Sequence, residues 1–445
     1  MNKSTLFLAA LEEVRRKEIP ERVMKRARES LADYLAVTCA GAKFQSEKLK
    51  NYFAFAMPEE GRFRAIGTGR DLALKEAVFL NGLNGHALDF DDGTNAGIIH
   101  LGSPVFSLLL PLAQRYGIGV DRLLRAAIIG YEASFTLAVS IQPVHKALGY
   151  HATGTCGTVG AALAAAYMLG FNEEERRQVF ACACVAASGM LKVLDDGSEL
   201  KPYNVAKSAL TALTSLQIAK SGFRGHPDPL GGRGFFKMMT GKEDIEPKPM
   251  LLHGTYALEK TYTKPYASCR YTHPAVEAAI AFRRDGIAAR DIGSVTVKTY
   301  ALAVAGHDHT EIPGSYSAKM SIPYSFAAGL VFGKAGLNEF EEETVKNEEV
   351  RALARKVTVT ADGEMSAAFP EKQRAEVTVA TEKGRFVKTV DYPKGEPENP
   401  LTEKEFKDRF DGLTGYAGIS PAVSDGVYRA VFAPDAQVFE LLGRL

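Results

Sequence analysis

Through the first half of the chain apolar positions recur three or four residues apart, so helix is expected to follow helix. Behind Pro20, residues Val23, Ala27, Leu31, Tyr34, Leu35 and Thr38 form one stripe that ends at Gly41, predicting a helix over 21–42. The same spacing marks 46–57, 72–90, 103–118 and 119–142, with almost no strand-like alternation among them. Residues 120–141 and 157–169 are apolar nearly all round, the pattern of helices in the middle of a bundle. Gly157, Ala161 and Ala165 stand four apart and present a small-residue face that lets a neighbouring helix come close. Asn172, followed by Glu173, Glu174 and Glu175, is a good N-cap with acids at the positive end of the helix dipole, and it opens a further core helix.

Near residue 255 the period changes. An amphipathic helix over 274–286 leads to Val295, Val297 and Thr299, alternate positions on one face of a strand. A helix at 321–336, a charged helix at 340–356 and strands near 356–362, 375–381 and 384–392 follow, the last two joined at Glu382-Lys383-Gly384 as a hairpin. After a Pro-rich linker, Thr402 and Glu405 have the spacing of a capping box and open a helical tail. A short tail cannot bury its apolar face alone, so it is expected to return to the helical part. The expected fold is mainly α: a large all-helical domain from 1–259 and 399–445, with a smaller α/β (α+β) domain, 260–398, inserted between them. A length of 445 residues, past the roughly 250–300 at which single cores stop growing, agrees with two domains.

Composition narrows the function classes. A formal net charge of +1 with 24% charged residues leaves no electrostatic footprint for nucleic acid or an acidic membrane surface. Cys39, Cys156, Cys182, Cys184 and Cys269 are scattered and form no CxxC pair, so neither a disulfide framework nor a thiolate zinc site is expected. The first apolar run breaks at Glu12 and Glu13, too short for a signal-peptide core, and no stretch is read as approaching the roughly 20 apolar residues that span a bilayer. A cytoplasmic chain without a membrane partner is expected.

Candidate chemistry begins between Gly82 and Pro104, where Asp89, Asp91 and Asp92 fall within four residues of an apolar stretch. Buried carboxylates are costly unless paired, so such a cluster calls for cationic partners elsewhere in the chain. One reading has an acid lining a pocket and holding a base, a cation or a substrate hydroxyl; the other has helix-end acids in a turn around Gly93. His100 follows eleven residues after Asp89. At 149–160, Gly154, Gly157 and Gly160 either leave N–H groups bare for a carboxylate beside His151 or serve close helix packing. Lys201 stands directly before Pro202 at a helix start. Lys264, Cys269, Arg270, Tyr271 and His273 crowd cation, thiol, phenol and imidazole at the expected domain junction, where small-molecule pockets preferentially form. Two patterns carry less: His307-Asp308-His309 has no third metal ligand, and Gly231-Gly232-Arg233-Gly234 lacks the Lys-Ser/Thr of a phosphate loop.

Together, LDFDDG at 88–93, His100, GYHATGTCGTVGAA at 149–162, KPYNVAKSA at 201–209, the Lys-Pro-Tyr to His-Pro segment at 264–274 and SIPYSFAAG at 321–329 resemble the MmgE/PrpD family, in order and over nearly the whole chain. That family includes 2-methylcitrate dehydratase, cis-aconitate decarboxylase and iminodisuccinate epimerase. The resemblance implies that the inserted domain is a lid with the pocket beneath it, in a homodimer that uses no cofactor and no metal. It implies a lyase that dehydrates or decarboxylates a small di- or tricarboxylate. An epimerase of a substituted succinate such as iminodisuccinate is the alternative, and a non-catalytic polycarboxylate-binding protein is the alternative of another class. The matching segments make Asp89, His100, His151, Lys201 and Lys264 the catalytic candidates, and Thr94, Arg270, His273 and Tyr324 the substrate-binding ones. Gly93 stands where the decarboxylases place Thr, which lengthens the loop to His100 by one residue. Cys269-Arg270-Tyr271 also departs from their pattern and makes Arg270 a candidate reader of a carboxylate. The residue types suit the chemistry: fixed cations meet negative charge beside a carboxylate, and His100 or His151 moves a proton at carbon with Asp89 orienting an imidazole. Asp91 and Asp92 read as loop structure.

Overall fold

A computed structural model describes residues 2–193, 198–433 and 435–445. The chain is mainly α, 59% helical, with small sheets. It divides into two compact units, one built from Met1–Val193, Leu200–Thr261 and Glu403–Leu445, the other centred on Tyr262–Thr402.

In the first unit the helix Ala152–Met168 is the central rod, packed by Gly102–Tyr116, Val120–Ile141, Glu173–Ala186 and Lys201–Lys220. Its residues are Gly, Ala, Thr and a few larger apolar ones, and all but Tyr167 are buried. The closest helix approach falls at Gly160, where a Cβ would lie 1.8 Å from Ser134 Oγ and 2.6 Å from the Gly130 carbonyl. Gly154 packs on the Ser188 carbonyl, so close packing accounts for these glycines. Val120–Ile141 corrects one expectation: by length and mean hydropathy, 1.3, it is apolar enough to cross a membrane, but 89% of that window is buried inside the protein, as in a core helix.

Asn172 accepts the Glu175 N–H at 2.9 Å while Glu175 accepts the Asn172 N–H at 2.8 Å, a complete capping box at the start of Glu173–Ala186. The alternation scan missed one hairpin, β1 (Glu60–Ala65) with β2 (Arg70–Leu72), because only Phe63, Ala65 and Leu72 in it are buried. The helices Glu403–Tyr416 and Pro421–Phe432 pack on Glu21–Phe44. Arg409 reaches from the first of them to Asp33, Nε to Oδ1 2.7 Å, and donates to the Phe90 carbonyl at 2.8 Å. Both side chains of that ion pair are buried, so a C-terminal helix pins the backbone of the acid-rich stretch.

The second unit carries a mixed sheet, β3 (Ile292–Thr299), β4 (Val357–Ala361), β5 (Ala375–Thr381) and β6 (Gly384–Val390), in the order β4-β3-β5-β6. Strands β3 and β4 run parallel with Val295 opposite Val357; β3 and β5 are antiparallel with Val297 opposite Val377. Alternate residues Val295, Val297 and Thr299 are buried, as their spacing predicts. The β5–β6 hairpin turns at Gly384, whose φ of +133° favours glycine. The helix His273–Arg284 covers β5 and β6 and packs on Ile322–Phe332. The charged segment forms a shorter helix than expected, Glu348–Ala354, because the Asn347 side chain accepts the Val350 N–H at 3.1 Å and starts it there.

Candidate active site

His86 is the last residue of the helix Leu74–His86, and the acid stretch begins three residues on. Asp89 has φ +50°, a left-handed conformation that non-glycine residues rarely adopt. Such backbone strain persists where its surroundings fix it, and Arg409 holds the carbonyl of the very next residue.

Asp91 is the buried centre. Its two oxygens lie 2.8 and 2.9 Å from His86 Nδ1, and the Ser103 hydroxyl donates to Oδ2 at 2.6 Å. His100 Nδ1 is 3.3 Å from Oδ1. Burial by itself would raise this carboxyl, but the imidazoles of His100 and His86 outweigh it and hold Asp91 well below the usual carboxylate range. Burial, more than any charge, takes His86 down to about 4. The neutral ring donates its Nδ1–H to Asp91, and its Nε2, also buried, has no hydrogen-bond partner among the described residues.

The tautomer of His100 follows from the carbonyl of Asp92, which accepts its Nδ1–H at 2.9 Å. Nε2 is thereby left to take or give a proton, 3.4 Å from Asp89 Oδ1. The same oxygen accepts Lys201 Nζ at 2.7 Å. Lys201 opens the helix Lys201–Lys220, with Pro202 pre-set for a first turn. His151 caps Ala152–Met168; its ring centre is 6.3 Å from that of His86, and the rings of His86 and His100 stand 4.5 Å apart at 70°. Burial first, and then the Lys201 ammonium, push the His151 pKa well down, so the ring is neutral. Its Nδ1 is buried and without a partner among the described residues.

Asp92 serves the frame. Its carboxyl accepts the Tyr131 hydroxyl at 2.6 Å and the Gly102 N–H at 2.9 Å, while burial raises it to about 6 against those two bonds. A Cβ at residue 102 would meet Tyr131 Oη at 2.6 Å, which requires glycine there. Thr94 is buried at the neck of the loop to His100, its backbone paired with Ile99 at 3.0 and 3.4 Å.

His86, Asp89, Asp91 and His100 place one ligand-type atom each within 4.8 Å of one another, near enough to share a divalent ion. The Lys201 ammonium already supplies positive charge at Asp89, and a cation there would face it directly. The electrostatics suit proton transfer better than metal binding.

The second unit treats its candidates differently. Arg270 donates to Glu396 from Nε and Nη2 at 2.9 and 2.5 Å, to the carbonyls of Lys394 and Pro393 at 3.2 Å each, and to His273 Nδ1 at 2.7 Å. All five guanidinium N–H groups are used inside the protein, which corrects the expectation that Arg270 reads a substrate carboxylate: its carboxylate is Glu396. His273 donates its other nitrogen to the Ser268 carbonyl at 3.2 Å, and the buried Tyr324 hydroxyl donates to the Glu339 carbonyl at 2.8 Å. Both bonds brace the unit internally. Lys264 is fully buried in this unit.

The geometry brings Asp89, His100, His151 and Lys201 into one cluster and adds two residues the motif reading passed over, His86 and Asp91. The reading of Asp91 as loop structure is corrected by the two imidazoles on it. The missed signal was a histidine five residues before an aspartate, across a helix end.

Residues 8–248 match the MmgE/PrpD N-terminal domain, and residues 266–422 match the MmgE/PrpD C-terminal domain. The cis-aconitate decarboxylase-like protein oryM of Aspergillus oryzae is 25% identical over 432 residues, covering 90% of this chain and 88% of that protein. Cis-aconitate decarboxylase of Mus musculus is 24% identical over 351 residues, 75% of this chain and 70% of its own. The 2-methylcitrate dehydratase of Salmonella typhimurium is 26% identical over 257 residues, 52% of this chain and 50% of its own.

Proposed function

Because the chain belongs to the MmgE/PrpD family, we propose that it is a lyase, working without cofactor or metal, that removes water from a 2-methylcitrate-like hydroxy acid or carbon dioxide from a cis-aconitate-like acid. The observation that carries this reading is the shared oxygen of Asp89, which meets His100 Nε2 at 3.4 Å and the Lys201 ammonium at 2.7 Å. A proton-transfer group of set tautomer and a carboxylate-binding cation stand side by side. The names of the relatives, decarboxylase and dehydratase, support the same pair of reactions.

Both reactions build negative charge on carbon next to a carboxylate. In the dehydration His100 takes the proton from that carbon, the electron pair forms the double bond, and the imidazolium passes that proton to the departing hydroxyl, which leaves as water. In the decarboxylation His100 has to enter as the imidazolium: the C–C bond breaks, carbon dioxide leaves, the pair spreads into the conjugated acid, and the Nε2–H proton passes to carbon, leaving the neutral ring. The Asp91 carboxylate and the Asp92 carbonyl stabilise the imidazolium in between. Lys201 takes a substrate carboxylate, a preorganised contact worth about 3 kcal/mol of barrier. His151, neutral and with an Nδ1 that has no partner among the described residues, is the group that would bond a substrate oxygen. Lys264 remains a candidate second cation on the family pattern.

Incubation with citrate, 2-methylcitrate, cis-aconitate and iminodisuccinate, followed by NMR, tests the reading. Loss of water or of carbon dioxide from one of them is the expected result. Proton exchange at carbon without net product would assign an epimerase instead, and tight binding without any chemistry would make the protein a polycarboxylate binder.

A further inference from the structure

Away from the cluster just described, the second unit holds a thiol–imidazole pair. Cys269 Sγ lies 3.5 Å from His307 Nε2. His307 donates its Nδ1–H to the Ala305 carbonyl at 2.8 Å, so the lone pair is on Nε2 and faces the sulfur. The imidazole is buried, and the Tyr271 ring stands edge-on to it at 5.1 Å and 84°. Cys269 is partly exposed, and its backbone is fixed by the Lys319 carbonyl at 2.9 Å and by the Thr272 N–H at 3.0 Å. Nucleophile, base and an acceptor that orients the base are all present, the arrangement that activates a thiol.

The other cysteines are held as thiols. Burial drives Cys39 and Cys156 up to about 12, Cys184 well above its ordinary value, and Cys182 upward as well.

We propose that Cys269 is the reactive cysteine of the chain, a covalent modification site for small soft carbon electrophiles, with His307 as its base. His307 Nε2 takes the thiol proton, and the sulfur pair forms the S–C bond. With a haloacetamide the halide leaves. With a conjugated carbonyl compound the displaced pair moves to the α carbon, which takes the proton back from His307. The site uses none of the residues of the proton-transfer cluster, so it stands or falls independently of the lyase reading.

The full-length protein at pH 7 is treated with limiting iodoacetamide, and each cysteine-containing peptide is quantified over time by mass spectrometry. Cys269 is expected to react about tenfold faster than Cys182, the other partly exposed cysteine, because His307 Nε2 stands 3.5 Å from its sulfur to take the proton as the S–C bond forms. His307→Gln should slow Cys269 about tenfold and leave Cys182 unchanged, with Cys39 still protected. Cys182 reacting as fast as Cys269, or a Cys269 rate unmoved by His307→Gln, overturns the proposal. Should His307→Gln expose Cys39 by unfolding the chain, the ranking in the wild-type protein decides alone.

Discussion

Around Asp91 the first unit buries three carboxylates and three imidazoles and sets a partly buried ammonium against them; around Arg270 the second buries a guanidinium, an imidazole and a carboxylate. In the second, every guanidinium N–H has an acceptor and both nitrogens of His273 are bonded. In the first, His86 Nε2 and His151 Nδ1 lack partners among the described residues, and His100 Nε2 stands 3.4 Å from its carboxylate, long for a hydrogen bond. An unpaired buried polar atom costs about 1–3 kcal/mol, so folding alone does not favour such a cluster. The satisfied cluster is a clasp; the unsatisfied one is poised for a ligand that completes it.

Mutating each cluster should therefore damage a different quantity. His100→Gln should cut turnover about a thousandfold, within the range for loss of a general acid–base, with little change in the urea midpoint. Arg270→Met should do the reverse: taking the guanidinium away from the buried Glu396 carboxylate costs about 3–5 kcal/mol of stability in urea unfolding, while turnover per folded molecule stays within about twofold. A folded but inactive Arg270→Met protein would break the contrast. His151→Ala should lower turnover about a hundredfold; near-normal turnover would remove His151 from the chemistry.

Acid should probe the first cluster through His86. Its folded pKa, about 4, lies below the unfolded value, so as pH falls the unfolded chain takes up a proton that the folded one refuses. Stability is thus present above about 6.5 and is lost toward 4, by on the order of 2 kcal/mol between pH 7 and pH 5. Asp92, raised to about 6, acts in the opposite sense, so the quantity to measure is the difference between wild type and His86→Gln, whose pH slope should be flatter. The smallest effect is expected from a chelator: turnover should not change, and a loss restored by a divalent ion would turn the group His86, Asp89, Asp91 and His100 into a metal site.

What was legible from sequence was what is local. The Glu21–Phe44 helix, the Asn172–Glu175 box and the β5–β6 hairpin each declare themselves within a few residues. The motifs single out Asp89, His100, His151 and Lys201, and the fold brings the four together. The role of Arg270 was not legible, because its partner Glu396 lies 126 positions away and a guanidinium seeking a substrate looks the same as one already paired. The hairpin of β1 and β2 escaped because it buries too few side chains to alternate. His86 escaped because a histidine closing an apolar helix resembles any other; only the folded chain sets it against Asp91.

Deuterium incorporation at carbon in heavy water reaches proton transfer through His100 most directly. Run to equilibrium with the polycarboxylate the enzyme turns over, so that a dehydration also runs in reverse, wild type and Arg270→Met should place deuterium at the reacting carbon, and His100→Gln should not. Undiminished incorporation by His100→Gln, or none by the wild-type protein on any of the polycarboxylates screened, would contradict it.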